Sequence, residues 1–202
     1  MTNAAQQKIN DAVSGANSDD EQQYLTFIMA GEEYGVDILA VQEIRGWEPT
    51  TVVPNAPDYI KGVINLRGTI VPIMDLRSRF NLEKVEYSPV TVVIILKVET
   101  ERGERVMGIV VDAVSDVHSI SDSDTRNSPE LIEDLNTEFI RSLVSVDDTM
   151  IILLDVQRLL TIDKKVLHLA DELAEDSAKE STEKSVKDSE KESAADKETD
   201  KK

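Results

Sequence analysis

The sequence predicts a mainly β protein: two similar small β subdomains side by side, with a few short helices. Three observations predict it. Short β-branched, apolar runs alternate with turn residues through the middle of the chain. Helical spacing is confined to pieces of one or two turns. The chain also repeats itself. A shift of 80 places Thr69-Ile-Val-Pro-Ile-Met-Asp75-Leu on Thr149-Met-Ile-Ile-Leu-Leu-Asp155-Val. A shift of 73 places Gly35-Val36 on Gly108-Ile109, Ala40-Val41 on Ala113-Val114 and Glu43-Ile44 on Asp116-Val117. The repeat divides the body into halves of about 21–85 and 86–165. Each is small enough to have a marginal core, so the halves are expected to share an interface. Five or so short strands per half can close edge to edge into a barrel.

The elements follow in order. Residues 1–20 read as a disordered segment. Tyr24 to Met29 is a strand closed by Gly31. Ile38, Val41, Gln42 and Ile44 have the spacing of a two-turn helix. Gly62 to Leu66 and Thr69 to Met74 flank Arg67-Gly68 as the arms of a hairpin. Asp75 to Phe80 and Asp155 to Leu160 read as short helices capped by their own aspartates, whose carboxylates accept backbone N–H bonds. Thr91 to Val98 and Val106 to Val111 are strands around a charged loop, Glu99 to Arg105, and His118 follows Val117 in another. Leu143 to Val146 and Met150 to Leu154 flank the turn Asp147-Asp148. Leu131 with Leu135, and Val166, Leu169, Ala170 and Leu173, suggest two further helices. Trp47, the single tryptophan, reads as a core anchor for the short helix before it, with an interface aromatic as the alternative. Residues 171–202 carry 12 acidic and 7 basic side chains and no aromatic, too little apolar surface to order themselves. They read as a disordered acidic tail.

Composition excludes several functions. Lys and Arg total 22 against 40 Asp and Glu, a formal charge of −18. Phosphate backbones and anionic lipids attract cations, so neither nucleic acid nor a lipid surface is the expected partner. There is no cysteine, hence no disulfide, thiolate metal site or cysteine nucleophile, and the two histidines have no metal-ligand spacing. No cofactor is expected. Glycine-rich phosphate loops and nucleophile elbows are absent. Apolar runs such as Val92 to Leu96 fall far short of the roughly 20 residues that span a bilayer. The N-terminus has no apolar core of a signal peptide, so the chain reads as soluble and cytoplasmic. Asp155 at a strand end is reminiscent of a phosphoacceptor. The alternating long helices of a receiver are missing, and Asp75 duplicates it, which favours the cap.

Glu43 and Arg67 are the most informative charges. Arg67 stands at a hairpin turn where Asn or Asp is the ordinary choice. From the residues alone, both read as surface ions worth about 0–1 kcal/mol in a salt bridge.

Two segments carry a resemblance. Glu33-Tyr-Gly-Val-Asp-Ile-Leu-Ala-Val-Gln-Glu-Ile-Arg-Gly46 and Tyr59-Ile-Lys-Gly-Val-Ile-Asn-Leu-Arg-Gly-Thr-Ile-Val-Pro-Ile-Met-Asp-Leu-Arg77 are similar to the CheW family of bacterial chemotaxis coupling proteins. Met107-Gly-Ile-Val-Val-Asp-Ala-Val-Ser-Asp-Val117 continues the likeness. The resemblance implies two SH3-like, five-stranded β-barrel subdomains and an adaptor without catalysis. It implies two partners, the histidine kinase CheA and the cytoplasmic tips of chemoreceptors, with recruitment to membrane receptor arrays. It assigns Glu43 and Arg67 to receptor and kinase coupling. Ile38, Val41 and Ile44, faced by Val114 and Val117, are assigned to a receptor groove between the subdomains. Thr91 and Val92 are assigned to a kinase-binding flank. A related adaptor of another receptor–kinase pathway, such as surface motility, would share these features, and an Asp-phosphorylated regulator is the alternative from a different class.

Overall fold

The computed structural model describes residues 21–100, 103–121, 125–127, 139–146 and 148–161. The expectations for both terminal segments, for Asp147 and for the helices at 131–135 and 166–173 lie outside them. The described chain is mainly β, as expected. Its strands are β1 (Glu21–Met29), β2 (Glu32–Asp37), β3 (Val41–Gly46), β4 (Ile60–Leu66), β5 (Thr69–Asp75) and β6 (Val92–Thr100). They continue as β7 (Gly103–Val111), β8 (Ala113–Ser121), β9 (Thr125–Asn127), β10 (Ile140–Val146) and β11 (Thr149–Leu154). Short helices at Leu76–Arg79 and Val156–Thr161 follow β5 and β11.

The strands form two sheets, ordered β8-β1-β2-β11-β10-β9 and β3-β6-β7-β5-β4. Under the sequence repeat, β3, β6, β7, β5 and β4 correspond to β8, β1, β2, β11 and β10. The two orders are therefore the same, with β9 added to one. The expected divide at residues 85 and 86 falls inside the second sheet, between β5 and β6. Each sheet takes strands from both halves. The hairpin β1–β2 leaves the first half to pair with β8 and β11, while β6–β7 from the second half completes the other sheet.

Close packing makes this exchange specific. β2 runs parallel to β11 with Gly35 opposite Leu153, and β5 runs parallel to β7 with Ile73 opposite Gly108. A Cβ on Gly35 would lie 2.8 Å from Leu153 Cδ2, and one on Gly108 would lie 2.5 Å from Ile73 Cδ1. Both glycines therefore serve packing and not an unusual turn. They are the glycines that the 73-residue shift aligns, and their partners are aligned by the 80-residue shift.

Among the described residues three apolar clusters result. Ile73, Val93, Ile95 and Val110 lie within the five-stranded sheet's own cluster. Tyr24, Ile120, Val144, Ile151 and Leu153 fill that of the six-stranded sheet. The largest cluster draws on both sheets, through Leu25, Phe27, Val36, Ile94, Leu96, Ile109 and Leu154 among others. Along β6 successive residues alternate between two cores, Ile94 and Leu96 facing one and Val93 and Ile95 the other. Burial on both faces is why this strand is a continuous apolar run.

Local expectations fared unevenly. Arg67 and Gly68 have φ of 53° and 92°, the positive pair of a two-residue hairpin turn. Trp47 packs against the five-stranded sheet's cluster, as a core anchor would, with its ring 4.4 Å from that of Tyr87. The helix expected over Ile38 to Ile44 is corrected. Only Ile38–Ala40 turns, as a 3₁₀ helix, and Val41–Gly46 is β3. A register shift between Val41 and Glu43 sets Val41 opposite Leu96 and Ile44 opposite Ile94. This β-bulge places residues three apart on one face, which imitates helical spacing. The charged loop at 99–105 is also shorter than expected, since β6 and β7 extend into it and pair Thr100 with Gly103. β2 has no counterpart among the expected strands, because Glu32-Glu33-Tyr-Gly-Val-Asp lacks a β-branched run.

An ion pair ties the exchanged strands. Arg77 Nε and Nη2 donate to Asp112 Oδ1 and Oδ2 at 2.7 and 2.6 Å. Asp112 Oδ2 also accepts the Ala30 N–H from the β1–β2 turn at 2.9 Å. The Arg77 bonds are the main reason that the Asp112 carboxyl titrates below its ordinary value, against a desolvation that opposes the shift.

Two predictions follow from these contacts. Gly108→Ala forces Ile73 and Val93 aside and lowers unfolding free energy by about 1–3 kcal/mol, read by urea denaturation. Asp112→Asn costs about 1.5–3 kcal/mol near neutral pH, because a charge-assisted pair is lost. A carboxylate with a lowered folded pKa stabilises above its unfolded value of about 3.9, and that stability is lost as pH falls through the folded value. The gap between parent and variant therefore narrows below about pH 4, which denaturation at two pH values measures.

Candidate partner-binding surface

β3 and β4 are the outer strands of the five-stranded sheet. Glu43 stands on β3 and Arg67 on the turn after β4. Arg67 Nη2 donates to Glu43 Oε2 at 2.9 Å, so the pair spans the two edges of one sheet. The turn that offers Arg67 is itself braced, since Asn65 Oδ1 accepts the Gly68 N–H at 2.7 Å. Exposure is asymmetric: the Glu43 side chain is 16% exposed and that of Arg67 81%. Arg45 Nε lies 3.8 Å from Glu43 Oε1, and Arg45 Nη2 lies 3.7 Å from Glu48 Oε2. One nearly buried carboxylate thus faces two guanidiniums. A cavity of about 230 Å³ opens beside this cluster, with Arg45, Glu48, Thr51 and Asn65 among its polar walls and Ile73 and Val93 on its apolar side.

The apolar residues assigned to a groove are placed differently from the charges. Ile38, Val41 and Ile44 are buried in the cluster shared by the two sheets. Val114 and Val117, on β8, pack against the same cluster and remain partly exposed. Sequence and structure bring the five together, but the first three are core residues, and their burial leaves little of them for a partner to touch. Leu39, between two of them on the 3₁₀ turn, is 73% exposed. Sequence reasoning passed over it. The repeat was the available signal, because its counterpart 73 residues on is Asp112, so the backbone position does not require an apolar side chain.

Thr91 is buried just ahead of β6, where its hydroxyl accepts the Ser88 N–H at 2.9 Å. Its carbonyl accepts the Trp47 N–H at 3.1 Å. Val92 opens β6 and pairs with Gly46 at the end of β3. Thr91 and Val92 therefore share a flank with Trp47 and the loop that carries Glu48.

The aspartates behave as helix caps. Asp75 Oδ1 accepts the Ser78 N–H at 3.0 Å, and Asp155 Oδ1 accepts the Arg158 N–H at 2.9 Å. Asp75 is further engaged by the Tyr87 hydroxyl at 2.7 Å and Lys61 Nζ at 3.4 Å. Burial, aided by this hydrogen bond, pushes the Tyr87 phenol well above its ordinary value. Among the described residues no group of three His, Cys, Asp or Glu is placed to hold a metal ion. No helix among them is long and apolar enough to cross a membrane.

Comparison with known proteins matches this geometry to a family. The family model described as "CheW-like domain" covers residues 23–164. The chemotaxis protein CheW of Klebsiella aerogenes is 48% identical over 146 residues, spanning 72% of this chain and 86% of that protein. That of Rhizobium meliloti is 36% identical over 156 residues, spanning 77% and 92%. The crystal structure of the scaffolding protein TtCheW from Thermoanaerobacter tengcongensis superposes with a TM-score of 0.64 at 32% identity, covering 72% of this chain and 96% of that one. Sequence and fold thus agree over the whole β body, and the chain belongs to the CheW family of chemotaxis scaffolding proteins.

Proposed function

We propose that this chain is a non-enzymatic adaptor that couples methyl-accepting chemoreceptors to the histidine kinase CheA. It works in the cytoplasm, recruited to membrane receptor arrays. The observation that carries the reading is the Glu43–Arg67 pair, held across two sheet edges on a scaffold that matches its relatives over nearly the whole body. A coupler must bind two partners and pass a change in one to the other, which needs a coupling free energy between its contact surfaces. A nearly buried carboxylate gripping an exposed guanidinium on a braced turn fixes a charge in space, which favours register and specificity over bulk affinity. The Thr91–Val92 flank is the proposed kinase face. Val114 and Val117 form the open part of the proposed receptor site, above the buried Ile38, Val41 and Ile44 that support it.

The deciding experiment is a reconstitution of CheA, receptor-bearing membranes and this protein, with and without attractant. Kinase activity is expected to rise on addition of the protein and to fall when attractant is added. Binding to neither partner would overturn the reading. Glu43→Lys, which turns three cations toward one another, and Arg67→His are each expected to remove about 1–3 kcal/mol of coupling free energy between the two contact surfaces, seen as a loss of attractant control over the kinase. Arg67→Ala lowers folding stability by no more than about 1 kcal/mol, because the guanidinium is largely exposed. Urea denaturation beside the kinase assay separates loss of coupling from loss of fold.

A further inference from the structure

Tyr59 and Phe139 are counterparts under the 80-residue repeat. The carbonyl of each accepts the N–H of a capping aspartate, Asp75 at 2.7 Å and Asp155 at 2.8 Å. Tyr59 leads into β4 of one sheet and Phe139 into β10 of the other. The guanidinium carbon of Arg79 lies 5.1 Å from the Tyr59 ring centre and 5.0 Å from that of Phe139. A single cation therefore lies over two repeat-equivalent rings, each from the residue that leads into one of the two sheets. The counterpart of Arg79 itself is Leu159, fully buried in the shared cluster. The next position repeats the asymmetry. Phe80 stacks on Phe139 at 5.2 Å and meets Tyr34 at 6.0 Å, where the other half has Leu160.

Arg79 is a poor choice for stability alone. Its Nε is buried and has no hydrogen-bond partner among the described residues. A buried unpaired donor is costly, and an apolar side chain in its place leaves no donor unpaired. Leucine fits the equivalent place in the other half. What the guanidinium offers that leucine does not is direction. Its attraction to a ring depends on lying over the ring face, so holding two rings at once constrains their separation and tilt. We infer that Arg79 is a positioning residue, a key between the two subdomains that fixes their relative orientation. The inference does not depend on which partners the two subdomains bind.

The full chain suits a direct test because it has no cysteine. Thr69 and Thr149 are exposed counterparts at the starts of β5 and β11, so Thr69→Cys with Thr149→Cys takes one spin label in each sheet. Pulsed electron spin resonance then reads the distribution of distances between the labels. Arg79→Leu is expected to keep the melting temperature of the parent while the distribution shifts or broadens. Arg79→Lys keeps the charge and loses the flat guanidinium, and is expected to change the distribution as well. The distribution decides. If it is unchanged in the folded variants, Arg79 only fills space and the inference falls. If Arg79→Leu fails to fold, Arg79→Lys settles the question alone by the same criterion.

Discussion

Two glycines facing two large aliphatic side chains hold the architecture together. Gly35 admits Leu153, and Gly108 admits Ile73, where a methyl group would collide. Each contact joins a strand of one half to a strand of the other through a parallel pairing. A parallel pair cannot be closed by a tight hairpin and depends on segments distant in the chain. Neither half can therefore complete its sheet alone. The reciprocal exchange also creates the large cluster to which both sheets contribute, so the two smaller cores are welded through a third.

Everything proposed about function rests on that frame. The Glu43–Arg67 pair lies across the outer strands of a sheet that takes two of its three inner strands, β6 and β7, from the other half of the chain. Anything that loosens the exchange also loosens the placement of these charges. Arg77 and Asp112 guard the same junction, since one carboxylate satisfies an arginine from the helix after β5 and a backbone donor of the β1–β2 turn. A scaffold has no reacting atoms to align. Its task is to keep surfaces in a fixed relation, and an interlocked double sheet resists relative motion better than two units joined by a linker.

Much of this was legible in the residues. The repeat, the Arg67-Gly68 turn, the capping roles of Asp75 and Asp155 and the apolar run of β6 all follow from local chemistry. The exchange was not legible, because a repeat shows which segments are alike and is silent about which of them pair. The equivalence of β2 with β7 is visible in Gly35 and Gly108, whereas the crossing of their partners is a tertiary fact. The segment 38–46 misled for a different reason. A bulge gave Val41 and Ile44 the spacing of a helix, and both ended in the core. The charged part of the site was easier to read than the apolar part. A guanidinium at a turn must point outward, while an apolar residue on an edge strand can face either way.

Native-state hydrogen exchange of the full chain tests the interlock most directly. Backbone amides of β2 and β11 in one sheet, and of β5 and β7 in the other, report the free energy at which each sheet opens. The account predicts that both sets exchange at the same free energy, equal to that of global unfolding, and that Gly108→Ala lowers both together although it touches only one sheet. If the six-stranded sheet kept its protection while the five-stranded sheet opened, the two would be independent units and the interlocked scaffold would be contradicted.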